Sequence, residues 1–154
     1  MKAMHSMIAA LALTLVLPAP ADTATTDPEV IIYRFPGVTD NGQVGFLGVA
    51  TATNFSGVDE NVRFVTRHRD GNLLSNVTVN VGHLATVTIA THEVGAYIEH
   101  LLLSIGPIFQ GTTAIAATSI NIICTAMTID ASTAVPVGVA LRGIRFSPVP
   151  GSQE

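Results

Sequence analysis

The chain has 154 residues and a net charge of −4, with 12% charged and 48% hydrophobic residues. Its only lysine is Lys2, so six arginines face eleven acidic residues. That balance repels phosphate and argues against a nucleic-acid partner, while the abundance of Val, Ile and Thr excludes a disordered chain and favours half-buried strands.

Met1–Ser6 carries one firm positive charge, Met7–Leu17 carries none, and Pro18-Ala19-Pro20-Ala21 precedes the first acid, Asp22. This is the three-part pattern of a secretory signal peptide over 1–21, with cleavage expected after Ala21. The apolar run is too short for a membrane-spanning helix of about 20 residues, so no transmembrane segment is expected in the mature chain. Its destination is secreted or periplasmic. Residues 22–29 read as a flexible leader, 30–147 as one β domain, and 148–154 as an extended tail.

Val30–Phe35 is a short strand that Pro36-Gly37 should stop. A turn follows at Asp40-Asn41-Gly42, a second strand at Val44–Thr53, and a loop at Asn54–Glu60. Asn61–Arg69 and Asn72–Val81 flank Asp70-Gly71, the signature of a two-residue hairpin turn with both residues at positive φ. That turn pairs Arg67 with Leu74, Val65 with Asn76, Arg63 with Thr78 and Phe64 with Val77. One face then collects Val62, Phe64, Leu73, Val77 and Val79, and the other Arg63, Arg67, Arg69, Asn72, Asn76 and Thr78. A one-residue slip would drive arginines into the core.

After a turn at Gly82-His83, Leu84–Thr91 alternates, with Ala85, Val87 and Ile89 inward and Thr86, Thr88 and Ala90 outward. Val94–Ser104 fits either strand or helix, with strand favoured by its neighbours. Thr112–Ser119, Ile120–Asp130 and Val137–Phe146 complete the set. About eight or nine short strands separated by turn signals predict an all-β fold, an antiparallel β-sandwich of immunoglobulin-like type. An outer-membrane barrel fits less well, because aromatics are few and the hairpin's polar face is charged.

Chemistry is sparse. His92, Glu99 and His100 form the one candidate metal set, yet adjacent strand residues point to opposite faces, and zinc needs three or four converging ligands. A metal-dependent hydrolase is therefore a minor alternative, and no cofactor is expected. Ser56 and Ser104 lack the flanking glycines of a nucleophile elbow. Arg63, Arg67 and Arg69 form a basic row, readable as a solvated strand face or as a carbohydrate- or anion-binding site. Asn54-Phe55-Ser56 and Asn76-Val77-Thr78 match the glycosylation sequon. Thr51-Ala52-Thr53 and Thr86-Val87-Thr88 resemble the threonine pairs of ice-binding surfaces, but two copies without a repeat read more simply as exposed strand faces. Cys124, the single cysteine, reads as a small buried apolar residue, with an intermolecular bridge as the lesser reading.

Arg69-Asp70-Gly71, Thr91-His92, Gln110-Gly111-Thr112, Cys124-Thr125-Ala126-Met127 and the ending Val137-Gly138-Val139-Ala140-Leu141 with Arg145-Phe146 resemble small exported bacterial proteins of unknown function. The resemblance runs from Thr53 to Gly151. It implies a β-sandwich and an envelope or extracellular location, and it brings no activity or site residues. It also implies a second cysteine in relatives near the position of Ala52, so that Cys124 is the remnant of a lost bridge. The expectation is a non-enzymatic protein acting by protein or cell-surface contacts, with oligomeric state open.

Overall fold

The computed structural model describes residues 29–42, 46–93, 100–130, 132 and 137–147. The expected signal peptide, most of the leader, Glu99 and the tail lie outside these residues. Among the described residues, ten strands form two five-stranded sheets, mainly antiparallel. They are β1 (Ile31–Asp40), β2 (Phe46–Asn54), β3 (Glu60–Arg67), β4 (Leu73–Val81), β5 (Thr86–Ala90), β6 (Leu101–Leu102), β7 (Ile108–Ala117), β8 (Ile122–Asp130), β9 (Val137–Ala140) and β10 (Ile144–Phe146). The first sheet runs β10-β1-β7-β3-β4 and the second β6-β5-β2-β8-β9. The pairing of β5 with β6 is parallel.

One core cluster draws on both sheets: Ile31, Phe35, Val62, Phe64 and Ile115 from the first, Ala52, Val87, Ile89 and Ile122 from the second. These positions recur at every second residue, as a pleated strand requires. Polar clips also join the sheets. The Tyr33 hydroxyl donates to the Ile122 carbonyl at 3.2 Å. Asn54 is fully buried, and its amide donates to the Val58 and Val81 carbonyls, both at 2.7 Å, while its Oδ1 accepts the Ser56 N–H at 2.8 Å. This sequon asparagine is thus spent inside the fold, whereas Asn76 is exposed on β4.

The hairpin has the expected register from Val62↔Val79 to Thr66↔Ser75, but a different turn. Gly71 N–H donates to the His68 carbonyl and His68 N–H to the Asn72 carbonyl, both at 2.9 Å. Of Asp70 and Gly71, only the glycine has positive φ, at 87°. This is a three-residue loop closed by a glycine bulge, the other hairpin connection that Asp-Gly suits. The longer loop pairs Arg67 with Leu73 instead of Leu74, and a shift between Thr66 and Arg67 restores the register beyond. Leu73 is consequently 51% exposed, not in the core. Backbone Asn72 N–H holds the Asp70 carboxyl below its ordinary range, helped by nearby His68.

Three further expectations are corrected. The first strand does not stop at Pro36; it runs on to Asp40. β10 covers only Ile32 to Arg34, so Pro36 needs no N–H on that side of β1, and Gly37, at φ 90°, absorbs the local register shift. The stretch Val137–Phe146 is not one strand but two, in different sheets. The break falls where Gly143 lies against Phe35: a Cβ there would sit 2.5 Å from the ring. Finally, Ala85 does not face inward; it is exposed in the turn ahead of β5, whereas Ala90 points outward as expected and is buried there with Val49 and Ile129. Of Val94–Ser104, only Leu101–Leu102 is seen as strand, and 94–99 lie outside the described residues.

Candidate functional site

The outer face of the first sheet holds three of the six arginines, Arg34, Arg63 and Arg67. Alternation on β3 sends Arg63, Val65 and Arg67 outward, and Arg34 of β1 stands two strands away, across Ala114. Ile32, Val65, Ala114 and Ala116 are nevertheless buried on this face. They are small or branched residues between long ones, and the neighbours able to cover them are the aliphatic stems of the arginines. Each guanidinium is already engaged. Arg63 forms a two-pronged ion pair with Glu29, one arm measuring 2.7 Å from Nη2 to Oε2. Arg34 lies 5.3 Å from the Phe146 ring centroid, within cation–π range. Arg67 donates to the Gly71 carbonyl at 3.0 Å. Of the expected row, Arg63 and Arg67 share the face, and Arg69 sits in the exposed turn. Arg34 was not part of that row, because only strand order places β1 beside β7 and β3.

The histidines are dispersed. His92 Nδ1 lies 2.8 Å from Asp40 Oδ2, joining the end of β1 to the end of β5. Asp40 is 1% exposed, and its Oδ1 accepts the Gly42 N–H at 2.6 Å. His100 instead accepts the Thr88 N–H on Nδ1 at 3.1 Å, and His83 accepts the Gly57 N–H at 3.0 Å. His92 and His100 therefore serve different partners. No group of three or more His, Cys, Asp or Glu converges to hold a metal among the described residues, and Glu99 lies outside them. Asp40 and His92 are 52 positions apart, and nothing local in sequence signals their pairing.

A cavity between the sheets is lined by Thr66, Thr91 and Thr113 among apolar side chains, with a volume of about 10 Å³. That is the size of a single water, far below the ~300 Å³ of a small-molecule site. Thr66 and Thr113 share a hydroxyl hydrogen bond there at 3.1 Å.

The outer face of the second sheet is built differently. Thr51 of β2 stands directly opposite Thr88 of β5, and Thr53 opposite Thr86. Their hydroxyls lie 3.4 and 2.9 Å apart. On the other side of β2, Thr51 pairs with Thr125 and Thr53 with Ile123 of β8. The two Thr-x-Thr motifs are visible in sequence; their alignment across one sheet is a product of strand order.

Cys124 lies on β8 directly opposite Ala52, half-buried and packed against the core. Burial pushes its thiol up to about 12. At pH 8 it should react with a thiol reagent about a thousandfold more slowly than an ordinary cysteine, with full reactivity on denaturation. The sign follows from linkage: the unfolded thiol ionises first, so this group's contribution to stability is intact below pH 9 and lost as pH rises toward 12. Equal reaction rates in native and denatured protein would refute a buried thiol.

No family model matches the sequence, and no curated protein matches it. Among solved structures the chain is similar to the crystal structure of Thermotoga maritima 1070, at 9% identity and a TM-score of 0.48, over 76% of this chain and 96% of that one.

Proposed function

We propose that the chain is an exported, non-enzymatic β-sandwich of immunoglobulin-like type that acts by binding a protein at the cell envelope, through strand addition at the outer edge of β4. The observation that carries this reading is the edge itself. β4 is nine residues long, lies at the end of its sheet, and contains neither proline nor a charged residue. Edges not meant for pairing are ordinarily short, charged or bulged away. An uncharged, full-length edge offers main-chain donors and acceptors to an extended partner segment, whose side chains then supply specificity. The dispersed histidines and the water-sized cavity lend no support to a metal-dependent hydrolase.

The test uses the full chain produced in a bacterial host. The 1–21 leader should be removed and the mature protein recovered with the envelope. Asn76→Lys with Asn80→Lys, two exposed positions on β4, should release it into the soluble exported fraction without unfolding it. Retention of the double variant, or an uncleaved protein inside the cell, would overturn the reading.

A second reading, a carbohydrate- or anion-binding site, is favoured by one observation: Arg34 shares the outward face of Arg63 and Arg67. It is weaker because these guanidinium groups already have partners within the fold.

A further inference from the structure

β1 ends in the turn Asp40-Asn41-Gly42. Of the seven asparagines in the chain, Asn41 alone precedes a glycine, and both residues of that pair are exposed. Gly42 has φ 74°, and a Cβ there would sit 3.2 Å from Pro107, so the turn itself requires glycine. The Gly42 N–H donates to Asp40 Oδ1 at 2.6 Å, while Asp40 Oδ2 lies 2.8 Å from His92 Nδ1. Asp40 is the one buried acid among the described residues. Its carboxylate is thus fixed between an imidazole and the amide of the Asn-Gly bond.

An asparagine can react with the backbone that follows it. The nitrogen of the next residue attacks the side-chain amide carbon and closes a five-membered succinimide ring. Two things ordinarily slow this step. A side chain on the next residue crowds the nitrogen, and resonance ties up the peptide lone pair until the N–H proton is lost. Glycine removes the first obstacle here, and a carboxylate sits on the proton that poses the second.

We propose that Asn41 is a self-converting modification site, at which Asp40 acts as the general base for attack by the Gly42 nitrogen on the Asn41 side chain. The bond from Gly42 N to Asn41 Cγ forms as the N–H proton passes to Asp40 Oδ1. The Cγ–Nδ2 bond then breaks, the departing nitrogen takes that proton and leaves as ammonia, and the Asp40 carboxylate is restored. Water adds to either carbonyl of the ring. Opening at Cγ gives aspartate, and opening at the main-chain carbonyl gives isoaspartate. In sum, one asparagine and one water become one acid and one ammonia, and no further co-reactant enters. A carboxylate positioned at hydrogen-bond distance from the proton it removes is the arrangement that general-base catalysis needs. The N–H bond lies in the peptide plane, whereas a carbon attacked by that nitrogen approaches perpendicular to it, so Asp40 and Asn41 do not compete for one side of the atom. The product sets a second carboxylate next to Asp40, and isoaspartate adds a main-chain methylene directly after β1. Both oppose the Asp40–His92 contact that joins the ends of β1 and β5. The inference needs nothing from β4 or from export.

The test follows the tryptic peptide between Arg34 and Arg63 by mass spectrometry, at neutral pH, in the folded protein and in the same protein unfolded in guanidinium chloride. That peptide also holds Asn54 and Asn61, which precede Phe55 and Val62 and serve as internal references. Asn41 is expected to convert at least about tenfold faster in the folded protein, below the ~10²–10⁴ that a positioned base can supply, while Asn54 and Asn61 stay intact. Asp40→Asn keeps an acceptor oxygen for the Gly42 N–H but cannot take its proton, so the advantage of the folded state should vanish with an unaltered circular dichroism spectrum. Conversion that is equal or slower in the folded protein overturns the proposal, because the hydrogen bond then restrains the nitrogen instead of activating it. That comparison uses the unaltered chain and stays readable if Asp40→Asn fails to fold. An undiminished rate in folded Asp40→Asn also overturns it, as does conversion of Asn54 or Asn61 as fast as that of Asn41.

Discussion

Replacing Phe64 by alanine is expected to cost about 3–5 kcal/mol, whereas Leu73→Ala should cost less than about 1 kcal/mol. Simple alternation along the hairpin puts both residues on one face, so the contrast tests where the core lies. Phe64 has no exposure and belongs to the cluster shared by both sheets. It stands between Val77 of β4 and Ile115 of β7, so truncation leaves a void that neither neighbouring strand can close without breaking its ladder. Leu73 is carried to the surface by the loop at His68–Gly71 and the irregularity beyond it. A domain of this size is stable by about 5–15 kcal/mol, so Phe64→Ala removes from about a fifth of the margin to all of it. Urea unfolding followed by circular dichroism gives both values from midpoint and slope. Equal losses at the two positions would mean that the hairpin keeps its simple alternation through the turn and that the observed register shift is wrong.

The same hairpin shows how far local sequence reaches. The pairing from Val62 to Thr66 was legible because alternation and a turn signal agreed over a few residues. The turn itself was not, because Asp-Gly is compatible with two loop geometries of different length, and only the shift between Thr66 and Arg67 reconciles the longer loop with the same register. Val137–Phe146 failed for another reason. Its apolar residues change parity between Leu141 and Ile144, and the division is fixed by the approach of Gly143 to Phe35, a contact between residues far apart in the chain. The arginines behaved likewise. Arg63 and Arg67 were visible as a row, but their companion Arg34 and the ion pair of Arg63 with Glu29 depend on which strands lie side by side. Asp40 and His92 left no local trace at all. The two Thr-x-Thr segments stood out as motifs, yet two motifs become an array only when β2 and β5 pair with Thr51 opposite Thr88. In each case the short-range part of the geometry was readable, and the strand order that turns it into a surface was not.

Strand order also makes Cys124 informative. Ala52→Cys is expected to form a disulfide with Cys124 and to stabilise the protein by about 4 kcal/mol, the chain-entropy value for closing a loop of roughly 70 residues. The two residues are direct partners on β2 and β8. Opposed residues in an antiparallel ladder have Cα atoms about 4.5–5.5 Å apart, inside the window of roughly 4.4–6.8 Å that a disulfide spans. Both belong to the core-facing side: Ala52 is fully buried, and Cys124 packs against the same cluster. The substitution adds one sulfur, and bonding it to the existing sulfur draws the pair inside van der Waals separation, so the extra volume is small. The melting temperature should rise by about 10–20 °C, the gain should vanish with reductant, and no free thiol should be titratable after oxidation and denaturation. Cys124→Ser in the same background should abolish the gain while leaving the fold intact, which separates the effect of the bond from any effect of the new side chain. Two titratable thiols in the oxidised double-cysteine protein would show that β2 and β8 do not pair in this register, and the threonine rows that depend on that register would fall with it.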